Sequence, residues 1–197
     1  MTMTPRRMAL WALWGLALLA LAGFGWLKLS PMFDRNGAVV IGPGDYHLET
    51  TEGAPFTEDT LEGSPSAVFF GFTHCPEVCP TTLGDITAWQ EELGPEDELR
   101  VFFITVDPER DTSEVLHDYV SWAPGVTGVT GSPEEVAKAL SAFRVYARKV
   151  PLGAGRYTMD HSANILLFDK DGRFFEPIGY QEDPDRVMEK IRRMLAG

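Results

Sequence analysis

Cysteine is scarce in this chain, with two residues in 197, and histidine numbers only four. Two cysteines allow at most one disulfide, and Cys75 and Cys79 lie so close together that closing their loop removes little chain entropy. A bridge kept for stability alone should span more chain, although exported proteins do favour static disulfides. Positive charge is also short, at 17 Lys and Arg against 29 Asp and Glu, a net charge of −12. Such a surface repels nucleic acid, which excludes that class of partner. The acidic excess is otherwise the ordinary composition of a soluble protein and identifies no partner. Internal repeats and low-complexity tracts are absent, so the length is read as one folded unit with an attachment segment.

Acidic residues are missing from the first 29 positions, which hold Arg6, Arg7 and Lys28 as their only charges. The remaining residues, 30–197, therefore carry 14 basic against 29 acidic side chains, a net −15. Met8 to Leu27 is a run of 20 uncharged residues rich in Leu, Ala and Trp, long enough to cross a hydrocarbon core of about 30 Å as a helix. Arg6 and Arg7 before it predict a cytoplasmic N-terminus and delivery of the rest to the opposite side, with Trp26 at the far interface. Ala20-Leu21-Ala22 has the form of a signal-peptide cleavage site, but the apolar run continues past it. No Arg- and Ser-rich transit peptide precedes the span, so the expected location is the bacterial inner membrane, single-pass, with the domain facing the periplasm. The expected division is a membrane anchor over 1–29, a linker over 30–44 and one domain over 45–197.

Along that domain, Ala67–Phe72 and Leu99–Val106 are continuous apolar runs of strand length, suited to a sheet covered on both faces. Between them, Leu83, Ile86, Trp89 and Leu93 recur at helical spacing from Thr81 until Gly94-Pro95. Further helices are predicted from Thr112 through Trp122 and from Pro133 to Phe143, with Ser132 as cap. Ala163–Phe168 and Arg173–Phe175 flank Asp169-Lys170-Asp171-Gly172 as a hairpin, and Asp183-Pro184 opens a last helix. This order predicts an α/β, thioredoxin-like fold with an N-terminal transmembrane helix.

Both cysteines lie in Thr73-His74-Cys75-Pro76-Glu77-Val78-Cys79-Pro80, where a strand meets a helix N-terminus. That position favours thiolate, the form that attacks disulfides and binds metal. The pair can cycle between dithiol and disulfide, or clamp a soft metal ion. A third ligand would favour metal. His47 and His117 read as surface or packing residues, and His74, adjacent to Cys75 in extended chain, tends to point away from it. His161 precedes the strand 163–168, in a loop that a thioredoxin-like sheet brings to the cysteine loop and where thioredoxins place a proline.

The strings Cys75-Pro76-Glu77-Val78-Cys79-Pro80, Val106-Asp107-Pro108-Glu109-Arg110-Asp111-Thr112 and Tyr157-Thr158-Met159-Asp160-His161-Ser162 together resemble the Sco/SenC family. The likeness covers about residues 45–195 and the N-terminal anchor. It implies a copper-binding thioredoxin fold acting in assembly of the dinuclear copper centre of cytochrome c oxidase, with Cys75, Cys79 and His161 as ligands for Cu(I), Cu(II) or both. Asp160 would orient the imidazole. Asp107 also matches the family but reads here as a loop cap, and Met159 as a packing residue. The implied partners are the copper-centre subunit of the oxidase, the membrane through the N-terminal helix, and a periplasmic copper donor. The alternative is a thiol-disulfide reductase that keeps the acceptor's cysteines reduced, with Cys75 and Cys79 as redox pair. A thiol peroxidase fits less well, because Thr73 stands too close to Cys75 for that pattern.

Overall fold

In the computed structural model the described residues are 14, 15, 19, 40–95, 97 and 99–197, and the compact unit they define runs over Ile41–Gly197. Its strands are β1 Leu48–Thr50, β2 Pro55–Phe56, β3 Ser66–Gly71, β4 Arg100–Thr105, β5 Val126–Thr130, β6 Ala147–Gly153, β7 Arg156–His161, β8 Ile165–Phe168 and β9 Phe174–Ile178. Its helices are α1 Val78–Leu93, α2 Ser113–Val120, α3 Pro133–Ala142 and α4 Pro184–Leu195, with a 3-10 turn at Glu58–Leu61.

Seven strands form one sheet in the order β2-β1-β5-β4-β3-β8-β9, while β6 and β7 pair only with each other. The centre is parallel, β3 against β4 and β4 against β5, and β8 and β9 close it antiparallel. Side chains alternate across the pleat, so Phe69 and Phe103 enter one core with Leu83, Ile86, Leu116 and Ile191. Val68, Phe70, Phe102 and Ile104 enter the opposite core with Val136, Ala139 and Phe143. Each fully buried aromatic or branched side chain contributes about 1.5–3 kcal/mol, which explains why β3 and β4 read as unbroken apolar runs. The helix starts follow their caps: Thr112, Ser132 and Asp183 each accept a backbone N–H through the side chain, and Pro133 and Pro184 occupy the first helical position.

Helix α1 begins at Val78, three residues before the expected Thr81. Pro80 is its third residue, where the missing N–H is one that no helical carbonyl would have received. Three strands were not anticipated, β5 and the two of the hairpin β6–β7.

The N-terminal transmembrane helix requires correction. No helix among the described residues is long and apolar enough to cross a membrane. The longest described, α1, has 16 residues and spans about 24 Å at about 1.5 Å per residue, and it carries Asp85, Glu91 and Glu92. The expected span over 8–27 lies outside the described residues except for Trp14, Gly15 and Leu19, which are helical. The membrane partner, single-pass topology and periplasmic placement rested on that span and are withdrawn with it.

Candidate functional site

The chain leaves β3 at Gly71, whose lack of a side chain has a local cause. A Cβ there would lie 2.5 Å from the Phe103 ring and 2.9 Å from the Cys79 sulfur. The close approach seats Cys79, in the first turn of α1, directly on the strand end with no exposed surface. Cys75 lies before the helix, half-buried, and touches both cores. Its N–H donates to the Phe72 carbonyl at 3.2 Å, and its sulfur accepts the Cys79 N–H at 3.3 Å, one of the free donors of the helix N-terminus.

Both cysteines are free thiols, and their environments push them apart. The hydrogen bond from the Cys79 thiol lowers the Cys75 pKa to about 4, burial opposes this, and bonds from His161 and the backbone of Cys79 and Glu77 assist. Cys79 is driven far upward by the same bond and by its burial. The reduced pair therefore holds one thiolate on the accessible sulfur and one proton on the buried one. Alkylation of the reduced chain should label Cys75 alone, and the labelling rate should fall only as pH drops towards about 4 rather than below the ordinary thiol value of 9.0. Peptide mass spectrometry after timed quenching reads this directly; equal labelling of both cysteines would contradict it. The linked stability has a definite sign. A depressed acid stabilises the fold fully above 9.0, and that contribution is lost as pH falls from 9.0 to about 4.

His161 ends β7, with its ring edge-on to Phe72 at a centroid distance of 5.7 Å and an angle of 87°. Its Nδ1–H donates to the Ser162 carbonyl at 2.8 Å, which leaves the Nε2 lone pair free in the neutral ring. The imidazole lies close enough to the Cys75 side chain to help lower its pKa. Among the described residues, however, no group of three or more His, Cys, Asp or Glu side chains is arranged to hold a metal ion. The fold brings Cys75 together with Cys79 and with His161, without closing the three into a ligand set.

Asp160 faces away from this cluster, as alternation along β7 requires, and pairs across the hairpin with Arg148 at 3.4 Å. The Ser162 carbonyl, rather than Asp160, meets the imidazole Nδ1. Met159 packs on the second core. His74 bonds the Thr73 hydroxyl at 3.1 Å, His47 lies 3.3 Å from Asp45, and His117 is exposed on α2. Two residues carry more than the sequence indicated. Asp111, fully buried, accepts from the Thr73 N–H at 3.1 Å and hydroxyl at 2.6 Å, and from the Thr105 hydroxyl at 2.6 Å. Asp107, 1 % exposed, accepts the Tyr157 hydroxyl at 2.8 Å and pairs with Arg110. Asp107 was singled out in the sequence only as a loop cap, whereas the bond from Thr73 to Asp111 spans 38 positions and has no local signal.

Comparison with known proteins gives one answer. The family described as SCO1/SenC matches residues 36–196. Protein SCO2, mitochondrial, of Saccharomyces cerevisiae is 37 % identical over 165 residues, covering 81 % of this chain and 54 % of the yeast protein. The mouse SCO2 homolog, mitochondrial, is 34 % identical over 191 residues, 89 % of this chain and 75 % of the mouse protein. The chain thus spans about half the length of the yeast relative. Among solved structures, Bradyrhizobium japonicum ScoI with copper bound superposes with a TM-score of 0.72 at 42 % identity, covering 79 % of this chain and 99 % of that one. Yeast Sco1 with copper bound gives 0.73 at 34 %, covering 80 % and 90 %.

Proposed function

This chain belongs to the SCO1/SenC family, and from that premise we propose that it is a copper chaperone for cytochrome c oxidase, carrying copper as cargo on Cys75, Cys79 and His161. The observation that supports this reading most directly is the pairing of a stabilised Cys75 thiolate with a second sulfur and an imidazole at one partly exposed spot. Two sulfur donors suit Cu(I), and an added nitrogen donor widens the set towards Cu(II). The orientation of His161 fits: with Nδ1–H committed to a carbonyl, Nε2 is the free donor. Cargo transfer is then ligand exchange, the copper moving from these residues to the ligands of the oxidase copper-centre subunit.

One observation favours a second reading. A thiolate on the accessible Cys75, with protonated Cys79 behind it, is also the arrangement of a thiol-disulfide reductase. Cys75 would attack an acceptor disulfide and release one acceptor thiolate. Cys79, losing its proton, would then attack the Cys75 sulfur and release the second, with two electrons passed to the acceptor. The deciding measurement is metal content and thiol state of the full reduced chain supplied with Cu(I) under anaerobic conditions. The expected result is one copper per chain with both thiols reduced. Absence of copper with rapid dithiol cycling would assign the reductase instead.

A further inference from the structure

The loop from β4 to α2 carries the string Asp107-Pro108-Glu109-Arg110-Asp111-Thr112, and within five residues it grips both halves of the site. Asp111 holds the cysteine loop through the Thr73 amide and hydroxyl. Asp107 and Arg110 hold the histidine strand through Tyr157. We propose that Asp107, Arg110 and Tyr157 are positioning residues for the metal site, a latch that fixes β7 and thereby sets how the His161 imidazole meets the cysteine pair; this deepens the copper reading and rests on it.

The hairpin β6–β7 needs such an attachment, because no strand of the main sheet pairs with it. Tyr157, Met159 and His161 share one face of β7, two residues apart, and Met159 and His161 meet the second core and Phe72 respectively. Tyr157 supplies the third anchor. Its hydroxyl donates to Asp107 Oδ1 at 2.8 Å, while Arg110 Nε donates to Asp107 Oδ2, so both carboxylate oxygens are engaged. The Arg110 guanidinium stacks on the Tyr157 ring at 3.9 Å from its centroid and donates to the Tyr157 carbonyl at 3.1 Å. Lys149, across the hairpin, lies 4.8 Å from the same ring and pairs with Glu109 at 2.5 Å. One tyrosine is thus bound through hydroxyl, ring and backbone to a buried carboxylate and its counter-ion. Burying that carboxylate is costly unless it is paired, so Arg110 and Asp107 hold each other in one arrangement.

The test uses the full chain as wild type, Tyr157→Phe, Arg110→Lys and His161→Ala, with Thr158→Ala as a control on the other face of β7. Thermal unfolding checks the fold. Cu(II) affinity with its electron paramagnetic resonance spectrum, and the His161 ring ¹⁵N shifts of the copper-free protein, report the site. Tyr157→Phe and Arg110→Lys should each weaken Cu(II) by about 10–100-fold, the usual effect of removing an outer partner of a ligand, and alter the nitrogen signature. The copper-free His161 shifts should move in the same two variants and stay fixed in Thr158→Ala. Arg110→Lys keeps the charge opposite Asp107, so it remains informative if Tyr157→Phe fails to fold. If both variants keep wild-type copper spectra and His161 shifts while His161→Ala loses Cu(II), the latch is overturned and the copper reading stands. If His161→Ala binds Cu(II) as wild type does, the copper reading of His161 fails and the latch falls with it.

Discussion

Oxidising Cys75 and Cys79 to a disulfide should lower Cu(I) affinity by at least about a thousandfold, about 4 kcal/mol at about 1.4 kcal/mol per tenfold. The Cys79 N–H already meets the Cys75 sulfur at 3.3 Å, so joining the two sulfurs asks little of the fold, whereas it removes both sulfur ligands at once. A competition titration against a Cu(I) chelator, run on oxidised and reduced chain side by side, measures the ratio. Restoration by a dithiol reductant completes the cycle. Equal affinities in the two states would mean that neither sulfur is a ligand, and would leave only the exchange chemistry of the pair.

His161→Ala should separate the two metal states. Two sulfurs still hold Cu(I), so that affinity falls in part, while stable Cu(II) binding is nearly abolished for want of a nitrogen donor. Disulfide formation should proceed as in wild type, since His161 ranks behind the Cys79 thiol in lowering the Cys75 pKa. Loss of the ring edge against Phe72 removes about 0.5–1.5 kcal/mol of aromatic contact, which the unfolding midpoint will register separately. The decisive arm is cellular. In a deletion strain at low copper, His161→Ala should fail to restore the dinuclear copper centre of the oxidase. Restoration by His161→Ala but not by Cys75→Ser would establish thiol reduction as the activity and sink the chaperone reading.

What the sequence disclosed, and what it withheld, follows from range. The apolar runs of β3 and β4 and the caps at Thr112, Ser132 and Asp183 are local signals, and the structure has them where local physics puts them. The start of α1 was read three residues late, because the apolar spacing begins only at Leu83 while the helix begins at Val78 and takes in Pro80 as its third residue. β5 was hidden by Gly128, which breaks the strand pattern. A Cβ there would lie 2.7 Å from Thr51 and 3.0 Å from Leu116, so tertiary crowding overrides strand propensity. The hairpin β6–β7 escaped notice because Pro151 interrupts β6 and most of that strand is exposed, leaving no apolar alternation to read. The link from Tyr157 to Asp107 joins residues 50 positions apart and has no sequence signature at all. Residues 8–27 read as a span on apolar length alone, and the described structure offers no helix to match.

Gly71 makes room for a sulfur that solvent cannot reach, and this asymmetry governs traffic. With Cys79 sealed beneath the strand end and Cys75 half open, an ion held by both has a single doorway, on the Cys75 side. If copper is the cargo, whatever delivers it and whatever collects it would use that doorway in turn. On the copper reading proposed above, supplier and recipient would compete for that one face, and a supplier that lingers would act as a competitive inhibitor of delivery.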